Sequence, residues 1–349
     1  MIPIVPTIRA GVFAPILRWV SDHGLPVETF LRDAALGDSI AEDLEGFAPI
    51  MNGVEMLRLL GRAEGADVFC RIGATTDFSE VGAIGRIARS RRTPRGALLA
   101  VADFMPRHST HEVFAVHDVP GGIRVIDKWT LAFDAEAQHF VHQYVAALVH
   151  SICAACSQQR PLFSRVEIVP HPTAGVDHLA RWFGRVEAAS EPRLVIDIPT
   201  RVADARADSV VYDDDRLLRG QPVVLSEVDF IASLRWTIQA LMGAGAVSIK
   251  DVARAVNVTP RTLQRRLAEA GVPFSDLLDE TRRDIALHLL GSSRLSIAEV
   301  AERLGYTNAS ALSRAVRRWT GQSPRHLRAQ AHSDRGCKEK KIAIGGAER

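Results

Sequence analysis

Two short segments in the last third of the chain carry polar side chains that are suited to hydrogen bonding with DNA bases. Arg donates two hydrogen bonds to guanine O6 and N7, and Gln pairs with adenine N6 and N7. In each segment, apolar residues four positions apart define a buried face and leave the polar side chains on the opposite face. We expect the following side chains to contact base edges: Arg261, Thr262, Gln264 and Arg265 in one segment, and Ser310, Ser313 and Arg314 in the other.

Neighbouring arginines are better placed for the phosphate backbone. This second set consists of Arg266, Arg317, Arg318 and Arg325. Residues 247–330 contain 14 Lys+Arg against 8 Asp+Glu, whereas residues 1–246 contain 24 against 30. Phosphate contacts require such local positive charge. An Arg-rich helix alone is more often a solvated face, but here the positive charge coincides with a repeated motif.

The repeated motif is a short helix, a tight turn and a second helix. Its apolar residues recur at an offset of 48, and at 49 in the second helix. The matched pairs are Ile249 and Ile297, Val252 and Val300, Ala253 and Ala301, Val256 and Leu304, Val258 and Tyr306, Leu263 and Leu312, and Leu267 and Val316. This pattern is typical of a helix-turn-helix, whose second helix enters the DNA major groove. Two matching copies are far more specific than one.

Local signals delimit these helices. A Ser three residues before an acid begins the first helix of each copy, since the two side chains cap each other's backbone amides. A residue that tolerates left-handed backbone stands at each turn, and a capping side chain precedes each second helix. The cap pairs are Ser248 with Asp251 and Ser296 with Glu299, the turn residues are Asn257 and Gly305, and the second-helix caps are Thr259, before Pro260, and either Thr307 or Asn308.

A third helix is predicted between the two copies, from about Pro273 to Leu290. Its apolar stripe has helical spacing and consists of Phe274, Leu277, Leu278, Thr281, Ile285 and Leu289. One such helix would hold both units rigidly. Two recognition helices on one side of B-DNA should then lie about 34 Å apart, one turn of the duplex.

The segment Ile297–Arg328, IAEVAERLGYTNASALSRAVRRWTGQSPRHLR, resembles the signature of the AraC/XylS family of bacterial transcription regulators. Residues Val258–Leu290 resemble that family's first recognition helix and linker helix. The resemblance implies a homodimeric regulator of promoter DNA that contacts RNA polymerase as an activator, although repression suits the residues equally well. It also implies an arabinose-binding-type N-terminal domain that binds an unidentified small-molecule effector.

The sequence departs from the family pattern at a few positions in the second unit. Leu312 and Val316 stand where the family often has Phe, which indicates a smaller core. Ala309 and Ala311 offer no side-chain hydrogen bonds. We therefore expect the second unit to read fewer bases than the first.

Upstream of the repeat, the sequence predicts a mixed α+β domain. A β-hairpin is expected from Glu112–Asp118 and Ile123–Leu131, and a long helix from Ala135 to Ser157. Helices are also expected within 9–30, 53–64 and 79–105, together with short strands near 166–169 and 194–198. The predicted organisation is an effector-binding and dimerisation domain at 1–215, a linker at 216–225, an all-α DNA-binding domain at 226–330 with two helix-turn-helix units joined by a linker helix, and a disordered tail at 331–349.

Composition is that of an ordinary globular protein, with 349 residues, 47% hydrophobic and 24% charged. The first twenty residues lack the continuous apolar core of a signal sequence, and we see no apolar run long enough to cross a bilayer. We therefore expect a cytoplasmic protein that works on the nucleoid, with no membrane partner and no cofactor.

A competing hypothesis uses the His- and Cys-rich region 108–156. His139 and His142 are three apart on the predicted helix, and Cys153 and Cys156 continue it, so metal binding or catalysis is the alternative function. Short patterns of this kind are usually fortuitous. The chain has neither a phosphate-binding glycine loop nor a GxSxG motif, and we expect a regulator rather than an enzyme. The predicted hairpin and the His-rich helix are where we expect the effector pocket.

Overall fold

The computed structural model describes residues 5–37, 39–207, 230–242, 245–293 and 295–330. The predicted linker at 216–225, the predicted tail at 331–349 and the expected helix start at Ser226 lie outside these ranges. The chain forms an N-terminal α/β domain followed by a helical domain, which is the predicted fold class.

The N-terminal domain contains two sheets. Its strands are β1 (Thr7–Arg9), β2 (Phe47–Pro49), β3 (Glu112–Val119), β4 (Gly122–Trp129), β5 (Arg165–Ile168), β6 (Val186–Ala188) and β7 (Arg193–Pro199). Strands β1 and β2 pair as an antiparallel ribbon, and the larger sheet has the order β3-β4-β7-β5-β6. Neighbouring strands are antiparallel except for β5 and β6, which are parallel. The predicted hairpin is therefore present as β3–β4.

Helices cover the sheet and form most of the N-terminal core. They are α1 (Ala14–Asp22), α2 (Val27–Asp33), α3 (Ser39–Glu42), α4 (Ile50–Glu64), α5 (Val68–Thr75), α6 (Gly82–Arg89), α7 (Pro94–His108), α8 (Ala135–Ala154), α9 (Ala180–Phe183) and α10 (Thr200–Ala203). The long helix α8 begins where the Asp134 carboxylate accepts a hydrogen bond from the Ala137 amide. Its Phe140 and Tyr144 are buried in the core.

The helical prediction for residues 9–30 is wrong at its start. Arg9 ends strand β1, and Ala10–Phe13 is a 3₁₀ turn before α1 begins. The backbone of Arg9 pairs with Phe47, and its buried guanidinium donates to the carbonyls of Arg107 and Glu45. A partner distant in sequence therefore overrides the local helical pattern.

In the residues that the structure describes, the C-terminal domain is all helical. It consists of α11 (Phe230–Leu241), α12 (Ile249–Ala255), α13 (Pro260–Glu269), α14 (Phe274–Ser292), α15 (Ile297–Arg303) and α16 (Ala309–Thr320), with residues 324–330 also helical. The predicted connecting helix is α14. No helix in the described part of the chain has the length and apolar character needed to span a membrane.

Helix α11 joins the two domains. We expected it to support the first helix-turn-helix unit, and it does pack on α12 and α14; it also packs on β2 of the N-terminal domain. There the rings of Phe47 and Trp236 stack with centroids 4.1 Å apart. The Gly37 amide donates to the Ala240 carbonyl at 2.8 Å. A Cβ atom at Gly37 would lie 1.7 Å from the Met242 carbonyl oxygen, so this approach requires glycine.

Candidate nucleic-acid interface

The first helix-turn-helix unit consists of α12 and α13. Ser248 and Asp251 form the predicted capping box. Asn257 adopts a φ of 54° at the turn, and the Thr259 hydroxyl accepts from the Thr262 amide at 3.1 Å. Leu263 is fully buried against α12 and the rest of the core. The amphipathic pattern thereby fixes which face of α13 remains outside.

The predicted base-contact residues of the first unit lie on that outer face. Arg261, Gln264 and Arg265 are exposed. Arg265 has Glu269 as its nearest acid, 3.9 Å away, which is too long for a strong ion pair. Thr262 is half-buried, and its hydroxyl is hydrogen-bonded to that of Thr259 at 2.9 Å. Three of the four side chains are thus directed at solvent, and the fourth takes part in the cap.

The second unit consists of α15 and α16 and has the same construction. Ser296 and Glu299 form its capping box. Gly305 has a φ of 71° at the turn, and the Asn308 side chain caps α16 by accepting from the Ala311 amide at 2.9 Å. Of the two predicted alternatives, Asn308 is therefore the cap. Leu312 is fully buried, like Leu263 in the first unit.

The outer face of α16 offers fewer free hydrogen-bonding groups. Ser310 and Arg314 are exposed, whereas Ser313 is half-buried and donates its hydroxyl to the Ala309 carbonyl at 2.8 Å. Of the predicted phosphate contacts, Arg317 and Arg325 are exposed and Arg266 is half-buried.

Arg318 forms an ion pair within the protein, although its side chain remains 63% exposed. Its guanidinium lies 2.5 Å from one carboxylate oxygen of Asp279 on α14, and the Trp319 indole donates to the other oxygen at 2.8 Å. Arg282, also on α14, donates to the Leu304 carbonyl at 3.0 Å and lies over the Tyr306 ring. Two residues of α14 therefore tie it to the second unit. The sequence pattern predicts the connecting helix but gives no sign that Asp279 and Arg282 on it hold the second unit.

The second unit also contacts the N-terminal domain. Arg303 on α15 forms a two-bond ion pair with Glu42, with N–O distances of 2.7 and 2.8 Å. Both side chains are partly exposed, so the pair is weak in energy but specific in geometry.

Within the His- and Cys-rich region, His139, His142 and Cys153 are buried, whereas His117 is exposed. His139 bonds the Val169 carbonyl through Nδ1, while its Nε2 faces His178 Nε2 at 3.3 Å. Burial lowers the pKa of His139 to about 4 and that of His142 to about 3, and it raises the pKa of Cys153. Among the residues described, no group of three or more His, Cys, Asp or Glu side chains is placed to hold a metal ion.

Comparison with known families identifies both domains. Residues 24–206 match the model of the arabinose-binding domain of AraC transcription regulators, and residues 252–330 match that of a helix-turn-helix domain. The chain is also 42% identical over 337 residues to the HTH-type transcriptional regulator VirS of Mycobacterium tuberculosis, an alignment that covers 91% of this chain and 94% of VirS. This chain belongs to the AraC family of transcription regulators.

Solved structures are similar to the chain as well. The alignment with the transcriptional regulator CdpR from Pseudomonas aeruginosa covers 91% of this chain and 98% of the CdpR chain, with 21% sequence identity and a TM-score of 0.42. The alignment with the DNA-binding domain of AdpA, which was solved in complex with a target DNA, covers 31% of this chain and 98% of the AdpA chain, with 29% sequence identity and a TM-score of 0.27.

Proposed function

We propose that this protein is a sequence-specific regulator of promoters that reads base edges with α13 and α16. It acts as a homodimer in the cytoplasm, on the nucleoid, and activates by contact with RNA polymerase. A small effector in the N-terminal domain controls it. The observation that carries the proposal is the exposed arginine-bearing face on each of two capped helices that one connecting helix joins.

Base recognition is assigned to specific side chains. Arg261, Gln264 and Arg265 in α13 and Arg314 in α16 contact bases, with Thr262, Ser310 and Ser313 in lesser roles. Arg266, Arg317 and Arg325 contact phosphates. Arg318 also contacts phosphate, through the guanidinium donors that its ion pair with Asp279 leaves exposed.

Effector control is supported by direct contact between the domains. The Phe47–Trp236 stack and the Arg303–Glu42 ion pair connect the N-terminal domain to α11 and to the second unit. An effector that binds more tightly to one arrangement of these contacts shifts the population of domain arrangements. The shift changes how the two helix-turn-helix units are oriented on DNA.

The test uses duplexes selected from a random library with the full-length protein. Arg265→Ala is expected to weaken binding to the selected duplex by about 1–3 kcal/mol and to relax preference at one base pair, because an Arg–guanine pair is lost. Affinity is measured at fixed salt for the parent duplex and for each single-base variant.

Arg283→Ala is the matched control, since Arg283 is an exposed arginine of the same domain that lies on α14. It should keep the parental base preferences. The assignment of Arg265 fails if the Arg265→Ala protein discriminates every base variant as the parent does.

A further inference from the structure

A cavity of about 90 Å³ lies inside the N-terminal domain, between helix α8 and the β3–β4 hairpin. Its wall is mainly aliphatic and aromatic, with Leu57, Val101 and Leu148 among the lining side chains. Ile8 and Ile50, which belong to or directly follow the β1–β2 ribbon, line it too. Such a wall favours an apolar occupant, since every methylene that enters leaves water.

Buried polar groups lie on the hairpin side of this cavity. His108 and Asp127 are 4% and 0% exposed. Within the described chain, His108 Nδ1 and Trp129 Nε1 do not meet hydrogen-bond geometry with another group, although the Asp127 carboxyl lies close enough to Trp129 and Glu112 for both to affect its pKa. His108 and Trp129 line the cavity. Because buried polar groups nearly always have a partner, the His108 nitrogen, which has no such neighbour, points to a bound molecule that supplies one.

The strand register explains why these groups meet. Glu112 of β3 lies opposite Trp129 of β4, and Asp127 is two residues before Trp129 on the same face. Burial and the neighbouring Asp127 carboxyl raise the pKa of Glu112 well above its usual value, and burial also raises the pKa of Asp127. Burial and the Arg9 charge lower the pKa of His108 to about 3. The polar end of the cavity therefore disfavours charged groups, because burial raises the pKa of both carboxyls and lowers that of the imidazole.

We propose that this cavity binds an uncharged, slim amphiphile, namely an unbranched alkyl chain that ends in a hydroxyl group. The hydroxyl accepts from Trp129 Nε1 and donates to Glu112 or His108, since one hydroxyl both donates and accepts. The chain lies among the apolar side chains. A carboxylate ligand is disfavoured, because the lining residues that the structure describes include neither Lys nor Arg and do include Glu112.

A sugar is a poor match for the same wall. A pentose carries several hydroxyl groups, and most of them would face aliphatic side chains and lose water without gaining a hydrogen bond. The ligand class thus differs from the one in the name of the domain family. This inference depends on the proposed function only where it equates the ligand with the effector.

The direct test is calorimetric titration of the full-length protein with the alcohols from 1-butanol to 1-heptanol, with hexanoate and with arabinose. Affinity should rise about fourfold for each added methylene group until the cavity is filled. Hexanoate and arabinose should bind more weakly than 1-hexanol. The inference is overturned if no alcohol binds below about 10 mM, or if hexanoate or arabinose binds as tightly as 1-hexanol.

Two variants locate the site. Trp129→Phe keeps an aromatic ring but removes the indole N–H, so the dissociation constant for 1-hexanol should rise about fivefold. Trp182→Phe is the control, because the Trp182 indole donates to Asp67 and does not line the cavity. Equal affinities of these two variants would contradict the proposed site. Val101→Phe should block binding by filling the cavity; if it does not fold, the Trp129 and Trp182 pair still decides.

DNA binding separates this inference from the proposed function. If 1-hexanol binds in the cavity but leaves the affinity for the selected duplex unchanged, the cavity assignment holds and effector control by it fails. If the protein binds its duplex normally while no alcohol binds, the cavity assignment fails, but the proposed function as a DNA-binding regulator is unaffected.

Discussion

The two helix-turn-helix units share a backbone plan but differ in their outer side chains. At matched positions, Arg265 corresponds to Arg314, and both are exposed. The other matched positions differ: Arg261 with Ser310, Thr262 with Ala311, Gln264 with Ser313, and Glu269 with Arg318. The first unit thus presents more polar side chains on its outer face, whereas the second uses Arg318, together with Trp319, to hold itself to α14.

The first helices of the two units also differ in the contacts that they make. Arg303 in α15 corresponds to Ala255 in α12. Ala255 is buried within the helical domain, and Arg303 reaches Glu42 of the N-terminal domain. The second unit therefore has two arginine contacts, to α14 and to the N-terminal domain, at positions where the first unit has Glu269 and Ala255.

The largest expected effect tests whether the two cores are equivalent. Leu263→Ala and Leu312→Ala each remove a fully buried side chain and should lower the free energy of unfolding by about 2–5 kcal/mol, because each leaves a cavity. Denaturant titration of the full-length protein measures both. If one variant lost less than about 1 kcal/mol while the other lost the expected amount, the two units would not be packed alike.

An intermediate effect is expected at the anchor of the second unit. Asp279→Ala removes the acceptor shared by Arg318 and Trp319 and should cost about 1–1.5 kcal/mol of unfolding free energy. Asp284→Ala, an exposed acid on the same helix, is the control. The Asp279 variant should also weaken binding at the half-site read by α16 more than at the half-site read by α13. Equal loss at both half-sites would contradict the anchoring role.

The smallest expected effect concerns the contact between domains. Glu42→Gln should cost no more than about 1 kcal/mol, because the ion pair with Arg303 is partly exposed. Its effect should shrink as salt is added. Glu28→Gln, an exposed acid of the same domain, is the control. Thermal unfolding at low and high salt distinguishes them, and a Glu42 effect that is independent of salt would exclude an ionic origin.

Sequence alone predicted the features that depend on neighbours a few residues apart. The capping boxes at Ser248 and Ser296, the turns at Asn257 and Gly305 and the connecting helix α14 are confirmed. These signals are local, since a helix cap or turn is specified within a few positions.

The features that were missed depend on distant pairing. The β1–β2 ribbon depends on backbone pairing between Arg9 and Phe47. The packing of α11 on the N-terminal domain depends on the stacking of Trp236 on the Phe47 ring. The hairpin and the long helix both border the cavity, α8 with apolar side chains rather than with His139 and His142, and effector binding at these elements stays a prediction. The alternation of side chains along β4 could have predicted that Asp127 is buried. Asp127 lies two residues after the buried Val125 and therefore on the same face of the sheet.

The central claim is that both recognition helices read the same duplex through their matched arginines. It is tested most directly by measuring base preferences of the parent, Arg265→Ala and Arg314→Ala proteins on the selected duplex. Each variant should lose preference at a different base pair, and the two positions should lie about 10 base pairs apart, one turn of the duplex. Loss at the same position in both variants, or no loss in either, would contradict the account.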